Sequence, residues 1–300
     1  MPVEALRATP ERLARGKYLV EHVAVCIDCH SQRDWDKFSA PVVPGTEGRG
    51  GEIFDARHGV RGGVVYGSNI TPAGIAHWTE DEILRAITVG VSQDGRVLFP
   101  LMPYRSYRHL TRDDAAAILG YLRTLKAIEH DVPPRGLNPF VRLFIRSFTK
   151  GTVRLAATID KRDTVEYGRY LTTLAGCAEA HTPRGSTGQP KHKLSLAGGV
   201  GFTLPQGRVV AANITPDPET GIGTWSKGAF VGRFKLYASP EARDAPVGPG
   251  QMNTIMPWSM YAGMREDDLG AIYDYLRQVT PVKNRVKTFT PKTRMGRPNH

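Results

Sequence analysis

Blocks from the first half of this 300-residue chain return, in the same order, in its second half. Asp113-Asp114, Ala117-Ile118 and Tyr121-Leu122-Arg123 recur as Asp267-Asp268, Ala271-Ile272 and Tyr275-Leu276-Arg277, each displaced by 154 residues, and Met102-Pro103 recurs as Met256-Pro257 at the same displacement. Upstream, Asn69-Ile70-Thr71-Pro72 returns as Asn213-Ile214-Thr215-Pro216, and each is followed by Gly-Ile-x-x-Trp ending at Trp78 or Trp225. Further upstream, Gly16-Lys17-Tyr18-Leu19 and Gly168-Arg169-Tyr170-Leu171 precede Cys26 and Cys177. A repeat that keeps its order implies two tandem domains built alike. The expected division is a first domain over 1–130, a linker over 131–159, a second domain over 160–285 and a basic tail over 286–300.

Periodicity and caps predict the elements. An opening helix is expected over 11–25, and a second helix starts at a Thr79/Glu82 capping box. A closing helix carries Asp113 and Asp114 in its first turn, with Ala117, Ile118, Tyr121, Leu122 and Leu125 at helical spacing. With 32 Gly and 22 Pro, the stretches between read as loops, and no alternation argues for sheet beyond a small hairpin. The expected fold class is therefore all-α: two tandem helical domains with long loops, joined by a linker. In that linker Arg142, Arg146 and Lys150 fall on one helical face opposite an apolar one. This reads as a helix packed across its own two domains, with a membrane-surface or partner-docking helix as the alternative.

The chemistry starts at Cys26-Ile27-Asp28-Cys29-His30. Two thiols at this spacing can add to the two vinyl groups of a haem, which leaves the adjacent imidazole beneath the iron. Cys26 and Cys29 are then the covalent attachments and His30 the proximal ligand. A thioredoxin-like pair would want a βαβ setting, and half of a zinc site would want a second cysteine pair. The sixth ligand is expected from Met102, which lies in a loop stiffened by Pro100 and Pro103 and has an equivalent in the other half; His58, His77 and His109 are the alternatives. A thioether ligand favours the ferrous state, and iron with both axial positions filled exchanges electrons without binding substrate. Asn69, Trp78 and Tyr104 are expected to line this haem pocket, as are Asn213, Trp225 and Trp258 at the corresponding places of the second half.

There the motif reads Cys177-Ala178-Glu179-Ala180-His181, with Ala180 in the place of the second cysteine. Coordination requires an imidazole and a thioether sulfur but no thiol at 180. A second haem c held by one thioether from Cys177, with His181 and Met256 as axial ligands, is therefore expected. The alternative is a haemless second domain with Cys177 as a free thiol. Met252, Met260, Met264 and His192 compete as ligands in this half.

Forty Lys+Arg against 29 Asp+Glu give a net charge of +11, which suits an acidic partner or an anionic surface. The excess is spread along the chain without zinc-finger or helix-turn-helix spacing, so a nucleic-acid partner is not expected. Its densest run is Lys283, Arg285, Lys287, Lys292, Arg294 and Arg297, with no acid between. No stretch approaches the roughly 20 apolar residues of a transmembrane helix. Met1-Pro2-Val3-Glu4 contains no apolar export segment. Because haem is attached outside the bacterial cytoplasmic membrane, a periplasmic or outer-face location is expected, with a signal or anchor removed.

The haem motif followed by Asn-Ile-Thr-Pro, Gly-Ile-x-x-Trp, Met-Pro-Tyr/Trp and Asp-Asp-x-x-Ala-Ile-x-x-Tyr-Leu-Arg resembles the cytochrome c subunits of bacterial membrane-associated alcohol, aldehyde and gluconate dehydrogenases, over about residues 12–280. The resemblance implies two cytochrome c folds in tandem, and electrons passing from a catalytic subunit through the haems to quinone or a terminal oxidase. On this reading the chain is a redox partner of a dehydrogenase rather than an enzyme by itself. Those subunits often carry three haem motifs, whereas this chain has one complete and one degenerate. Two other functions stay open: a haem enzyme of the dihaem peroxidase or thiosulfate-oxidising type, and a single-haem cytochrome with a haemless docking domain.

Overall fold

The computed structural model describes residues 9–148, 152–185 and 188–292. Lys150, Arg294 and Arg297 therefore lie outside the described residues. The first half contains α1 (Pro10–Tyr18), α2 (Cys26–Cys29), α3 (Pro72–Ile75), α4 (Glu80–Val89), α5 (Tyr104–Tyr107) and α6 (Arg112–Leu122). A connecting helix, α7 (Pro139–Ile145), leads to α8 (Thr164–Leu174), α9 (Cys177–His181), α10 (Lys227–Lys235), α11 (Pro240–Arg243), α12 (Trp258–Tyr261) and α13 (Glu266–Leu276).

Local chemistry starts these helices where the sequence suggests. Thr9 and Asp163 cap α1 and α8 by accepting from the Arg12 and Glu166 amides, and the Thr79/Glu82 box closes both ways ahead of α4. The opening helix changes character before residue 25: after Tyr18 the backbone runs through a π turn over Leu19–Val23. Tyr18 stands eight residues before Cys26, but Tyr170 stands seven before Cys177. The π turn takes up the extra residue without unwinding the helix.

In each half the opening helix crosses the closing helix at a glycine. A Cβ on Gly16 would lie 2.0 Å from the Ala117 carbonyl oxygen, and one on Gly168 would lie 1.8 Å from that of Ala271. Only a residue without a side chain permits this approach. The halves then lock reciprocally. The Tyr18 hydroxyl donates to Asp268 at 2.5 Å and accepts from the Arg265 amide at 3.1 Å. Tyr170 donates to Asp114 at 2.7 Å and accepts from the Thr111 amide at 3.4 Å. The opening helix of each half thus covers the first turn of the other half's closing helix. Around these bonds Leu19, Ile118 and Leu119 join Leu171, Leu269 and Ile272 in one buried apolar cluster.

The all-α expectation is overturned, because the architecture is mixed α/β. Strands β1 (Ile53–Phe54), β2 (Gly63–Tyr66) and β3 (Gly136–Leu137) form one three-stranded sheet, and β4 (Gly201–Leu204), β5 (Gly207–Val210) and β6 (Phe289–Pro291) form another. Both are antiparallel, with Phe54 opposite Val65, Gly63 opposite Leu137, and Val209 opposite both Phe202 and Phe289. Strands of two to four residues are too short to show alternation, and each sheet takes its third strand from a segment beyond the closing helix. The linker is part of this architecture. It contributes β3, and α7 seats Val141 and Ile145 on Phe54, Val60, Val65 and Leu137 of the first half.

Candidate functional site

The first motif enters its helix under strain. Val25, just ahead of Cys26, has φ 44° and ψ 44°, a left-handed conformation that disfavours a β-branched residue. The chain then turns through α2, so that Cys26, Cys29 and His30 are half-buried within one turn and a half. Both thiols are free. Burial pushes Cys26 up to about 12 and Cys29 higher still, with Asp28 adding to the effect on Cys29. Burial thus keeps both thiols protonated in the free chain, unlike the lowered pKa of a reactive dithiol.

His30 is oriented by the backbone. Its Nδ1 lies 2.7 Å from the Ser68 carbonyl oxygen. A carbonyl only accepts, so Nδ1 carries the proton and the Nε2 lone pair is left for a metal. Burial lowers the imidazole pKa against a smaller upward pull from that carbonyl, which keeps the ring neutral. In the second motif Gly176 takes the left-handed entry, with φ 65°. His181 repeats the arrangement, Nδ1 lying 2.7 Å from the Ala212 carbonyl oxygen, and burial again lowers its pKa. Burial, with Glu179 nearby, pushes Cys177 up to about 12. Glu179 accepts from the Ser106 hydroxyl of the first half.

The methionine loops pack against the same apolar cluster as the motifs. Met102, Met256, Cys26 and Cys177 are all half-buried against it. Tyr107, at the end of α5, donates to the Ala24 carbonyl at 2.8 Å, and Tyr261, at the end of α12, donates to the Ala175 carbonyl at 2.7 Å. Each bond ties the helix after the methionine to the residue two places before the attaching cysteine. Sequence reasoning missed both tyrosines, although they recur at the same displacement as the Met-Pro pairs. Among the competing ligands His77, His109, His192 and Met252 are exposed, Met264 is buried and Met260 is half-buried. His58 is half-buried and caps a 3-10 turn with Asp55.

The six pocket residues fall into different settings. Asn69 donates to the Ile128 carbonyl at 2.9 Å and accepts from the Thr71 amide at 3.0 Å; Asn213 does the same with Val282 at 2.7 Å and Thr215 at 2.9 Å. Their amides thus clamp the segments that follow the closing helices. Trp78 is half-buried against the core, while Trp225 is exposed. Trp258 packs with Phe234 and Tyr237 beneath the Arg233 guanidinium, which is 5.1 Å from its ring centre. Tyr104 is buried with its hydroxyl unpartnered among the described residues. Two neutral thiols, an imidazole with a free Nε2, a thioether and an orphaned buried hydroxyl make a donor set that fits haem c.

No protein-family model matches the chain. It is 30% identical to the fructose dehydrogenase cytochrome subunit of Gluconobacter japonicus, over 99% of this chain and 59% of that one. It is 28% identical to the cytochrome c subunit of the quinone-type alcohol dehydrogenase of Gluconacetobacter polyoxogenes, over 93% of this chain and 59% of that one. A diheme cytochrome c-type protein of Cereibacter sphaeroides is 29% identical over 86% of this chain and 83% of its own length. The chain spans less than two thirds of the length of the dehydrogenase subunits it matches.

Proposed function

We propose that this homologue of bacterial dehydrogenase cytochrome c subunits is a periplasmic electron-transfer protein, which takes electrons from a dehydrogenase partner and passes them towards the respiratory chain. Cys26, Cys29, His30 and Met102 would hold the first haem c. Cys177, His181 and Met256 would hold the second through a single thioether. The haem supplies the one-electron couple, and the chain supplies its orientation and its dry surroundings. The Ser68 and Ala212 carbonyls set the tautomer and plane of the proximal imidazoles. Tyr107 and Tyr261 hold each methionine loop to its attachment helix. The shared core keeps the two sites in a fixed relation.

One observation carries the two-haem reading. The second half keeps the 2.7 Å histidine–carbonyl bond and the tyrosine tie although its second cysteine is alanine. Pyridine haemochrome absorbance combined with intact mass tests it. Two haems per chain, one with a shifted α-band, are expected; a single haem overturns the second site. A high-spin resting spectrum with rapid peroxide turnover would replace the electron-transfer role with an enzymatic one.

The proposed membrane contact rests on α7. Among the described residues no helix is long and apolar enough to cross a membrane. Yet α7 exposes Phe140 by 84%, Leu143 by 67% and Phe144 by 53% while Ile145 is buried beneath it. Beside this face Arg96, Arg135, Arg142 and Arg146 line a cavity with Asp94 as the one acid. Aromatic and aliphatic groups flanked by arginines match the boundary between anionic headgroups and acyl chains. The holoprotein should co-sediment with vesicles containing phosphatidylglycerol. Phe140→Ser combined with Phe144→Ser should weaken that binding about tenfold or more. Equal binding by parent and variant would remove α7 from the contact.

A further inference from the structure

Between the proximal histidine and the Asn-Ile-Thr-Pro block the first half is the longer one: Asn69 lies 39 residues after His30, but Asn213 only 32 after His181. Part of the longer connection, Asp34 to Ala40, lies on the loop that carries Met256. The Ser39 hydroxyl donates to the Met256 carbonyl at 2.5 Å and accepts from the Trp258 amide at 2.9 Å, so one side chain holds the backbone on both sides of Met256-Pro257. The Ser39 amide donates to the Asn253 side chain at 2.9 Å, and Asn253 in turn donates to the Trp35 and Lys37 carbonyls, each at 3.3 Å. Phe38 donates to the Ala245 carbonyl and Val247 to that of Asp36, both at 2.8 Å. Lys37 pairs with Asp244 at 2.9 Å, and the Phe38 ring stacks on Tyr237, their centres 5.4 Å apart.

Burial and backbone conformation give this contact its force. Ser39 is 2% exposed and Asn253 0%, so water cannot replace bonds that are lost there. Ser39 and Ala40 have φ of 65° and 42°, a left-handed pair without glycine. Such a conformation persists only where the surroundings over-determine it. The Met102 loop is held differently, by bonds from Met102 to Phe99 and from Leu98 to Gly90 inside its own half.

We propose that Ser39 is a positioning residue for the sixth ligand of the second haem, so that the first half completes the second site. This rests on the reading of His181 and Met256 as axial ligands. A thioether bonds iron weakly, and a loop free to swing releases it; the Ser39 clamp opposes that swing. The strength of the iron–sulfur bond in the second half therefore depends on the first half's insertion.

The test uses the two-haem protein and the long-wavelength charge-transfer band that a thioether gives with ferric haem. Met256→Leu should remove about half of the band, since it removes one of two equal ligands. Ser39→Ala should weaken the same half and raise carbon monoxide binding to one ferrous haem about tenfold or more, the effect of losing the two buried hydrogen bonds of that hydroxyl. Ser39→Gly also lacks the hydroxyl but relieves the left-handed strain, so it folds at least as readily and should show the same spectral loss. If both Ser39 variants keep the full band and exclude carbon monoxide while Met256→Leu loses half of it, the positioning role is refuted. If Met256→Leu itself leaves the band intact, the ligand assignment beneath the proposal fails instead.

Discussion

The first motif has two thiols and enters its helix through a strained valine, whereas the second has one thiol and enters through a glycine, yet both histidines meet a backbone carbonyl at 2.7 Å. The difference separates two jobs that a haem motif performs together. On the proposed assignment, attachment depends on the cysteines, and Ala180 would remove one such bond. Orientation of the imidazole depends on Ser68 or Ala212, which belong to the Asn-Ile-Thr-Pro segment and not to the motif. The second motif has therefore lost a cysteine and kept the orientation of its histidine. The methionine loops differ as well: Met102 and Leu98 bond backbone of their own half, with Ser106 of the following helix reaching across to Glu179, whereas the backbone on both sides of Met256-Pro257 is itself bonded by Ser39 of the other half.

The largest effects should fall where the halves are alike. Gly16→Ala and Gly168→Ala each force a methyl group into a carbonyl oxygen and should each cost about 5 kcal/mol in chemical denaturation, by closely similar amounts. Unequal losses would show that the two helix crossings do not bear equally on the shared core. The next effect should distinguish the halves. Arg15 donates twice to Asp114, each bond 2.8 Å long, whereas the residue equivalent to Arg15 is Tyr167, and among the described residues no guanidinium pairs with Asp268. Asp114→Asn leaves Arg15 buried without its counter-charge and should cost about 3 kcal/mol. Asp268→Asn weakens a single hydrogen bond and should cost about 1 kcal/mol. Equal costs for the two variants would mean that the Arg15 pair contributes nothing beyond the tyrosine bond.

The smallest effect is on the acid limb of stability. Burial pushes Asp114 up, but Arg15 and Tyr170 outweigh it and hold the carboxyl below its ordinary value. A depressed folded-state pKa contributes stability that is present above the unfolded pKa, about 3.9, and is lost as pH falls through the folded value. The parent protein should lose stability below about pH 4 more steeply than Asp114→Asn. Parallel denaturation curves for the two between pH 5 and about 2 would contradict this assignment.

How far the sequence could be read follows the range of the interactions. The capping box at Thr79 and Glu82, the acidic first turn at Asp113 and Asp114, and the Cys-x-x-Cys-His spacing each lie within a helical turn or two, where geometry follows from chain connectivity. The sheets escaped because β1 has two residues and β3 has two, and pairing partners that far apart leave no periodic trace. Asn69 and Asn213 were correctly seen as recurring, but their bonds to Ile128 and Val282 join segments more than 50 residues distant. Tyr107 and Tyr261 are legible in the repeat, at the displacement of the Met-Pro pairs, but their carbonyl partners are not.

By itself the sequence determined that the chain is duplicated, where its main helices start, and which thiols, imidazoles and thioethers recur in order. Only the tertiary structure decided that the halves exchange tyrosine–aspartate bonds, that short strands from beyond the closing helices complete two sheets, and that Ser39 reaches Met256 from 217 residues away. The reason is physical: caps and spacings are settled among neighbours along the chain, whereas buried polar atoms take whichever partner the packed core brings to them.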